Sequence, residues 1–192
     1  MIILTSQHIK QMRKELFKGI LLTAIVLLAF ACNNNDDEGI VLDFDITVPD
    51  TWPVIKSDQN NMVYYAQSPS EGTLDSIRED LLITKEPIGT TSLNTYYAAI
   101  LTALEEDTTF ALLSTKDTTI NGEPSQKFIH LQTVYAVNYA THDTIDLDAK
   151  MIKYVLTNNS NGYVITCNAL LTSYDRYKPV YDTIIKTFKF KN

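Results

Sequence analysis

The sequence predicts an α+β fold, a largely antiparallel central β-sheet flanked by helices. Three observations predict it. Segments of alternating polarity come in consecutive pairs, and the pairs are joined by Asn- and Gly-rich turns. Two other segments carry apolar residues at helical spacing. Strands and helices do not alternate one for one, which is the pattern a parallel sheet requires.

The elements follow in chain order. From Val41 to Val48 the residues alternate, with Leu42, Phe44, Ile46 and Val48 on one side and Asp43, Asp45 and Thr47 on the other. That is the pattern of a half-buried strand, and Pro49-Asp50-Thr51-Trp52-Pro53 ends it. Trp52, the sole tryptophan, is expected to plug the core. Asn61 to Gln67 is a second strand around Val63-Tyr64-Tyr65, and Ser68 to Thr73 is a loop. Leu81 to Thr84 is a third strand, closed by Pro87 and Gly89. Ser92 is a good N-cap for a helix whose stripe is Leu93, Tyr96, Tyr97, Ile100, Leu101 and Leu104. Phe110 to Ile120 and Gln126 to Val137 form a hairpin around Asn121-Gly122-Glu123-Pro124. Asn138 to Asp146 is a polar connection. Lys150 to Thr157 and Tyr163 to Leu171 form a second hairpin around residues 158–162. The last helix is expected to start near Pro179, since proline suits a first turn, with Val180, Tyr181, Ile184, Ile185 and Phe188 as its stripe.

These residues resemble the PsbP-like domain family. Ile46-Thr47-Val48-Pro49-Asp50-Thr51-Trp52 is similar to its strand-Pro-x-x-Trp opening. Ile120 to Pro124 resembles its Gly-containing hairpin, and Gly162-Tyr163-Val164-Ile165-Thr166 its entry into the penultimate strand. Tyr177, Tyr181, Ile184-Ile185 and Phe188-Lys189 resemble its closing helix and terminal Ser-Phe-Lys, with Thr187 in place of the serine. The resemblance spans nearly all of residues 40–190 and implies an α-β-α sandwich, a central antiparallel sheet between helical layers. It brings no catalytic residues. Members include photosystem accessory proteins, a Ran-binding import factor and many bacterial lipoproteins of unknown role.

The N-terminal region resembles a bacterial lipoprotein signal. Lys10, Arg13, Lys14 and Lys18 precede an apolar run of 12 residues, Ile20 to Ala31, interrupted only by Thr23. Spanning a bilayer takes ~20 apolar residues, so the run suits the core of a signal peptide. Met12 is a plausible true start. The resemblance implies cleavage after Ala31 and lipidation, as by palmitate, at Cys32, although Ala29 stands where the commonest pattern has Leu. An uncleaved anchor and an ordinary signal peptide are the alternatives. Residues 32–39 then form the lipidated cysteine and a polar tether, whose seven residues after Cys32 reach at most ~25 Å. Within it, Asp36, Asp37 and Glu38 resemble the acidic export signal that some Gram-negative groups use to send lipoproteins to the cell surface. A plain spacer has the same composition. Residues 40–192 make one domain, and the expected location is the outer membrane.

Charge and composition exclude several classes. The chain carries 16 basic and 23 acidic residues. Without residues 1–31 there remain 12 against 22, a net charge of −10. Nucleic acid and anionic headgroups both require basic patches, so neither is an expected partner. The membrane is reached through the lipid anchor alone. After Cys32 only Cys167 remains, which leaves no pair for an internal disulfide. Cys167 lies in an apolar strand and reads as a small buried hydrophobe.

No catalytic set emerges. His130 falls in a strand, where a satisfied core or edge histidine is the usual case, and His142 falls in a polar loop without metal-ligand spacing to it. Asp143, Asp146 and Asp148 lack the Gly-containing loop and bidentate Glu of the common calcium motif. No cofactor is expected. Tyr174, Tyr177 and Tyr181, three and four residues apart, line one helical face; they either pack the core or form an aromatic binding surface. Five tripeptides of the form Asp-(Ser/Thr)-(Ile/Thr) resemble an envelope O-glycosylation acceptor, with Thr144 the best placed. The expected function is a non-catalytic envelope lipoprotein that binds or steadies another envelope protein or glycan. The alternative is a hydrolase acting on glycan or peptide.

Overall fold

The structure, a computed structural model, describes residues 41–56, 61–70, 78–137 and 144–191. Nine strands and two helices occur among them: β1 Phe44–Asp45, β2 Val54–Ile55, β3 Met62–Gln67, β4 Asp80–Pro87, α1 Leu93–Glu105, β5 Ala111–Ile120, β6 Glu123–Val137, β7 Thr144–Asn158, β8 Asn161–Leu170, α2 Tyr174–Ile185 and β9 Lys189–Phe190. Seven strands form one sheet in the order β2-β3-β4-β8-β7-β6-β5, and β1 pairs with β9 in a separate ribbon. Every pairing is antiparallel.

Both hairpins turn on two residues. Asn121 and Gly122 have φ of 49° and 90°, and Asn159 and Ser160 have 48° and 62°. Positive φ at both central positions is the type I′ pattern, whose twist matches that of paired strands. Glu123 and Pro124 are therefore already strand, as are Asn158 and Asn161. Strand β7 begins at Thr144, six residues before the expected Lys150; residues 138–143 lie outside those described.

The two faces of the sheet carry different helices. On one face Leu81, Ile83, Ile152, Tyr154, Ile165 and Cys167 pack with Tyr174, Tyr177, Tyr181, Ile184 and Ile185 of α2 and with Phe44 and Phe188 around the ribbon. Trp52 closes this core, its ring centroid 6.2 Å from those of Tyr177 and Tyr181. On the other face Val155, Val164 and Phe128 pack with Tyr96 of α1, flanked by Leu93, Tyr97, Ile100 and Leu104. Ser92 caps α1 as its sequence suggests, its hydroxyl accepting from Thr95 N–H at 3.3 Å.

Helix α2 begins five residues before the expected Pro179. The N–H groups of Arg176 and Tyr177 both reach Ser173 O, which opens the helix there. Pro179 sits in its second turn, where proline forfeits a bond to the carbonyl four residues back. Burial of five side chains along the helix outweighs that loss.

The ribbon is tied to the sheet by polar contacts. Asp43 accepts from Lys85 Nζ at 2.6 Å and from the Tyr163 hydroxyl at 2.5 Å. Burial works against its charge, but these bonds outweigh it and hold the carboxyl below its usual range. Thr187 accepts from Thr47 N–H at 2.8 Å and donates to Ile184 O at 2.7 Å, a role for which a serine hydroxyl is chemically equivalent. Asn121 donates to the carbonyls of Lys186 and Phe188, joining the first hairpin turn to the exit of α2.

Candidate functional site

The register of the sheet aligns two rows of side chains on the α1 face. One row runs Asp80, Asn168, Met151, His130 across β4, β8, β7 and β6; the next runs Leu82, Thr166, Lys153, Phe128. Phe128 lies under α1. Asp80, Asn168, Thr166 and Lys153 form a polar cradle on the central strands, at positions whose neighbours on the opposite face are apolar.

The cradle is internally bonded. Lys153 Nζ donates to Thr166 Oγ1 at 2.9 Å, and the Asn168 side chain favours the charged form of the Asp80 carboxylate. The Asn168 carbonyl oxygen has no partner. Burial pushes Asp80 up to about 7, against the pull of Asn168 and Lys153 and with a further push from Glu79. Burial likewise pushes Lys153 down to about 8, with Asp80 opposing. A carboxyl and an amine that both titrate near neutrality are the groups acid-base chemistry and ligand recognition use.

His130 borders the cradle. It is fully buried, its ring 4.8 Å from Phe110 and 5.6 Å from Phe128. Neither ring nitrogen finds a partner of good geometry. The expected satisfied histidine is thus a buried and unsatisfied one, because the neighbours along its row and on α1 are apolar. Burial, reinforced by the charge of Lys153, pushes it down to about 4. An unfolded histidine titrates near 6.5. As pH falls from about 6.5 to about 4, the unfolded chain takes up this proton and the folded domain does not, so stability is lost. Asp80 acts oppositely, since its raised pKa makes the folded domain the stronger proton binder in much of that window. We therefore expect the unfolding free energy of the wild type relative to His130→Phe to fall by about 2 kcal/mol between pH 7 and pH 5. Urea titrations at both pH values measure it; a pH-independent difference refutes it.

A second feature lies on the far face. Thr47, Val48 and Pro49 and the α2 residues Pro179, Val180, Thr183 and Ile184, with Thr187, line a shallow and mostly apolar groove of about 490 Å³. It adjoins the loop that follows β1.

The residues singled out by sequence fall as follows. Cys32, Asp36, Asp37 and Glu38 lie outside the described residues, as do Asp143 and His142. Tyr174, Tyr177 and Tyr181 form no exposed platform: they are 4%, 8% and 1% exposed. Their stripe faces the sheet, and the Tyr181 hydroxyl donates to Asn168 O at 2.5 Å. Thr144, Asp146 and Asp148 are exposed on β7. In Asp107-Thr108-Thr109 the carboxylate accepts from both the N–H and the hydroxyl of Thr109, a local turn. Cys167 is buried on β8, and burial raises its thiol pKa far above the usual range, which leaves it inert. Sequence reasoning passed over the cradle. Its signal was Lys153 and Asn168, polar residues set inside otherwise apolar strands.

Comparison with solved structures identifies the fold as PsbP-like. PA94 of Pseudomonas aeruginosa, a protein of unknown function, is 12% identical over 78% of this chain and 98% of its own, with a TM-score of 0.55. Cyanobacterial PsbP (CyanoP) of Synechocystis is 13% identical over 83% and 98%, with a TM-score of 0.50. LpqN of Mycobacterium tuberculosis, which is involved in cell envelope biogenesis, is 12% identical over 78% and 83%, with a TM-score of 0.51. At these identities the likeness is one of fold. No family model and no curated protein matches the chain.

Proposed function

We propose that this is a non-catalytic cell-envelope lipoprotein, held at the outer membrane through Cys32, whose PsbP-like sandwich binds another envelope component through the groove beside α2. The groove carries the reading. It is apolar, it lies at the loop after β1, and its walls are the ribbon strand's exit and a helix fixed by five buried side chains. The fold is shared with LpqN, whose role in envelope biogenesis supports an envelope setting. A photo-crosslinking residue at Thr183 in the lipidated protein is expected to capture a discrete partner in intact cells. The same residue at Lys116, on the edge strand β5, is expected to capture none. Val180→Asp should reduce the Thr183 adduct about tenfold by placing a charge in the apolar contact. Equal labelling from both positions, or an adduct indifferent to Val180→Asp, refutes the groove. Wild-type protein without an acyl chain by mass spectrometry refutes the anchor.

A hydrolase of envelope glycan or peptide is the second reading, favoured by the Lys153–Thr166 pair. An amine with lowered proton affinity can accept a hydroxyl proton. Turnover of a glycan, peptide or ester panel that is abolished by Thr166→Val would establish it over the first reading.

A further inference from the structure

We propose that the cradle of Asp80, Asn168, Thr166 and Lys153 binds an uncharged polyhydroxyl ligand, a saccharide unit. The positions themselves require an explanation. On the opposite face the same strands present Leu81, Ile83, Ile152, Tyr154, Ile165 and Cys167, all buried and apolar or sulfur-bearing. A core at this place on the α1 face would be stabilised by similar residues, since polar groups set into a sheet face lose hydration. The sequence instead puts one acid, one amide, one hydroxyl and one amine on three neighbouring strands, in two adjacent rows.

The bonds within the cradle leave a defined remainder. The Asn168 side chain favours the charged form of Asp80, and its own carbonyl oxygen is buried and unpartnered. The ammonium of Lys153 has three protons and spends one on Thr166. Acceptor positions on Asp80 therefore lie diagonally across from the remaining donors on Lys153. Thr166 is nearly buried and forms the floor, while Asp80, Asn168, Lys153 and Met151 are only half-buried and give access.

That remainder selects the ligand. A phosphate or carboxylate would bond Lys153 but meet the Asp80 carboxylate. A cation would bond Asp80 but meet Lys153. The two charges cancel, so no net charge draws either ion. A hydroxyl is both donor and acceptor, and several on one ring satisfy alternating partners at once. Three strands span ~10 Å and two rows ~7 Å, which is the footprint of one or two sugar rings. Met151 and Leu82 offer apolar surface to the ring's C–H face.

The test uses the full chain in detergent, labelled with ¹³C at methionine methyls. Maltose, cellobiose, mannobiose and chitobiose are titrated, with inorganic phosphate, glycine and spermidine as charged comparators. The expected result is a saturable shift of the Met151 methyl with at least one disaccharide and with no comparator. Lys153→Met, which removes a donor to the ligand, and Asn168→Leu, which removes the amide beside the Asp80 carboxylate, should each weaken that binding about tenfold. Val180→Asp in the groove should leave it unchanged, so the cradle and the groove stand or fall separately. Should either cradle variant lose its fold, protection of Lys153 from reductive methylation by the same disaccharide in the unaltered protein decides the matter. The proposal is overturned by the lack of any saturable Met151 shift, by a charged comparator that binds in preference, by saccharide binding that survives both substitutions, or by unprotected Lys153.

Discussion

Gly162→Ala is expected to destabilise the domain by about 2–3 kcal/mol and to loosen α1 from the sheet. Gly162 opens β8 on the α1 face, and an added Cβ there would lie 2.4 Å from two ring carbons of Tyr96 and 2.8 Å from its hydroxyl oxygen. Such distances are well inside van der Waals contact, so the ring or the strand must move. The strand is held by pairs to β4 and β7 on both sides. The ring is held as well, because Tyr96 is the buried residue of α1 and its hydroxyl donates to Glu86 at 2.8 Å. Tilting it away breaks that bond and lifts the helix from Val155 and Val164. The backbone of Gly162 does not need positive φ, so strain at the turn is not the cause. The cause is separable by a double-mutant cycle. Tyr96→Leu alone should cost a few kcal/mol through the lost ring and hydrogen bond. In that background Gly162→Ala should cost under about 0.5 kcal/mol, a coupling near 2 kcal/mol measured by urea unfolding. Additive effects would mean that Tyr96 does not rest on Gly162.

The same position shows what the sequence conveys and what it withholds. Gly162 was visible as part of a hairpin, but its partner Tyr96 is 66 residues away, on a helix whose face was legible and whose docking site was not. The stripe of α1, the Ser92 cap and the core place of Trp52 follow from local sequence, and the structure has them, whereas of the strand expected from Val41 to Val48 only Phe44–Asp45 is paired. The cradle depends on register. A five-residue loop at residues 158–162 would pair Thr157 with Tyr163, whereas the two-residue turn pairs Thr157 with Gly162. That single step decides whether Lys153 faces Thr166 or Cys167, and so which face holds the polar groups. The turn type was the missing fact, and Asn159-Ser160 with positive φ at both positions is a weak form of its usual Asn-Gly signal. The start of α2 was missed for a different reason. Pro179 is a strong local marker, and the tertiary burial of Tyr174 and Tyr177 overrode it.

Glu79→Ala is expected to cost about 3 kcal/mol and to melt the first turn of α2 before the rest of the fold. Glu79 stands just before β4 and is 5% exposed. One carboxylate oxygen accepts from the hydroxyl of Ser68, itself fully buried, at 3.2 Å. The other accepts from the hydroxyl of Ser173 in a very short contact. Ser173 is the N-cap residue of α2, yet its side chain makes no capping bond to the helix. Its hydroxyl is committed to Glu79, so the carboxylate reaches the helix start by way of the serine. A negative charge there is also favoured by the helix dipole. Alanine removes the acceptor, leaves the buried Ser68 hydroxyl without this partner, leaves the half-buried Ser173 hydroxyl only Leu170 O at 3.2 Å and opens a small void. The buried Ser68 hydroxyl left unsatisfied costs roughly 1–3 kcal/mol, and the void and the lost charge-dipole term add about one more. For a domain of this size that corresponds to a fall in melting temperature of about 6–12 °C. Glu79→Gln should be much milder, about 1 kcal/mol, because its carbonyl keeps one bond and a serine hydroxyl can rotate to accept from the amide. Hydrogen exchange distinguishes the local effect from a general one. Amides of residues 176–178 should lose protection in Glu79→Ala while those of β7 and β8 keep theirs up to the global limit. A melting temperature within about 2 °C of the wild type, or a uniform loss of protection, would show that Glu79 does not pin the helix.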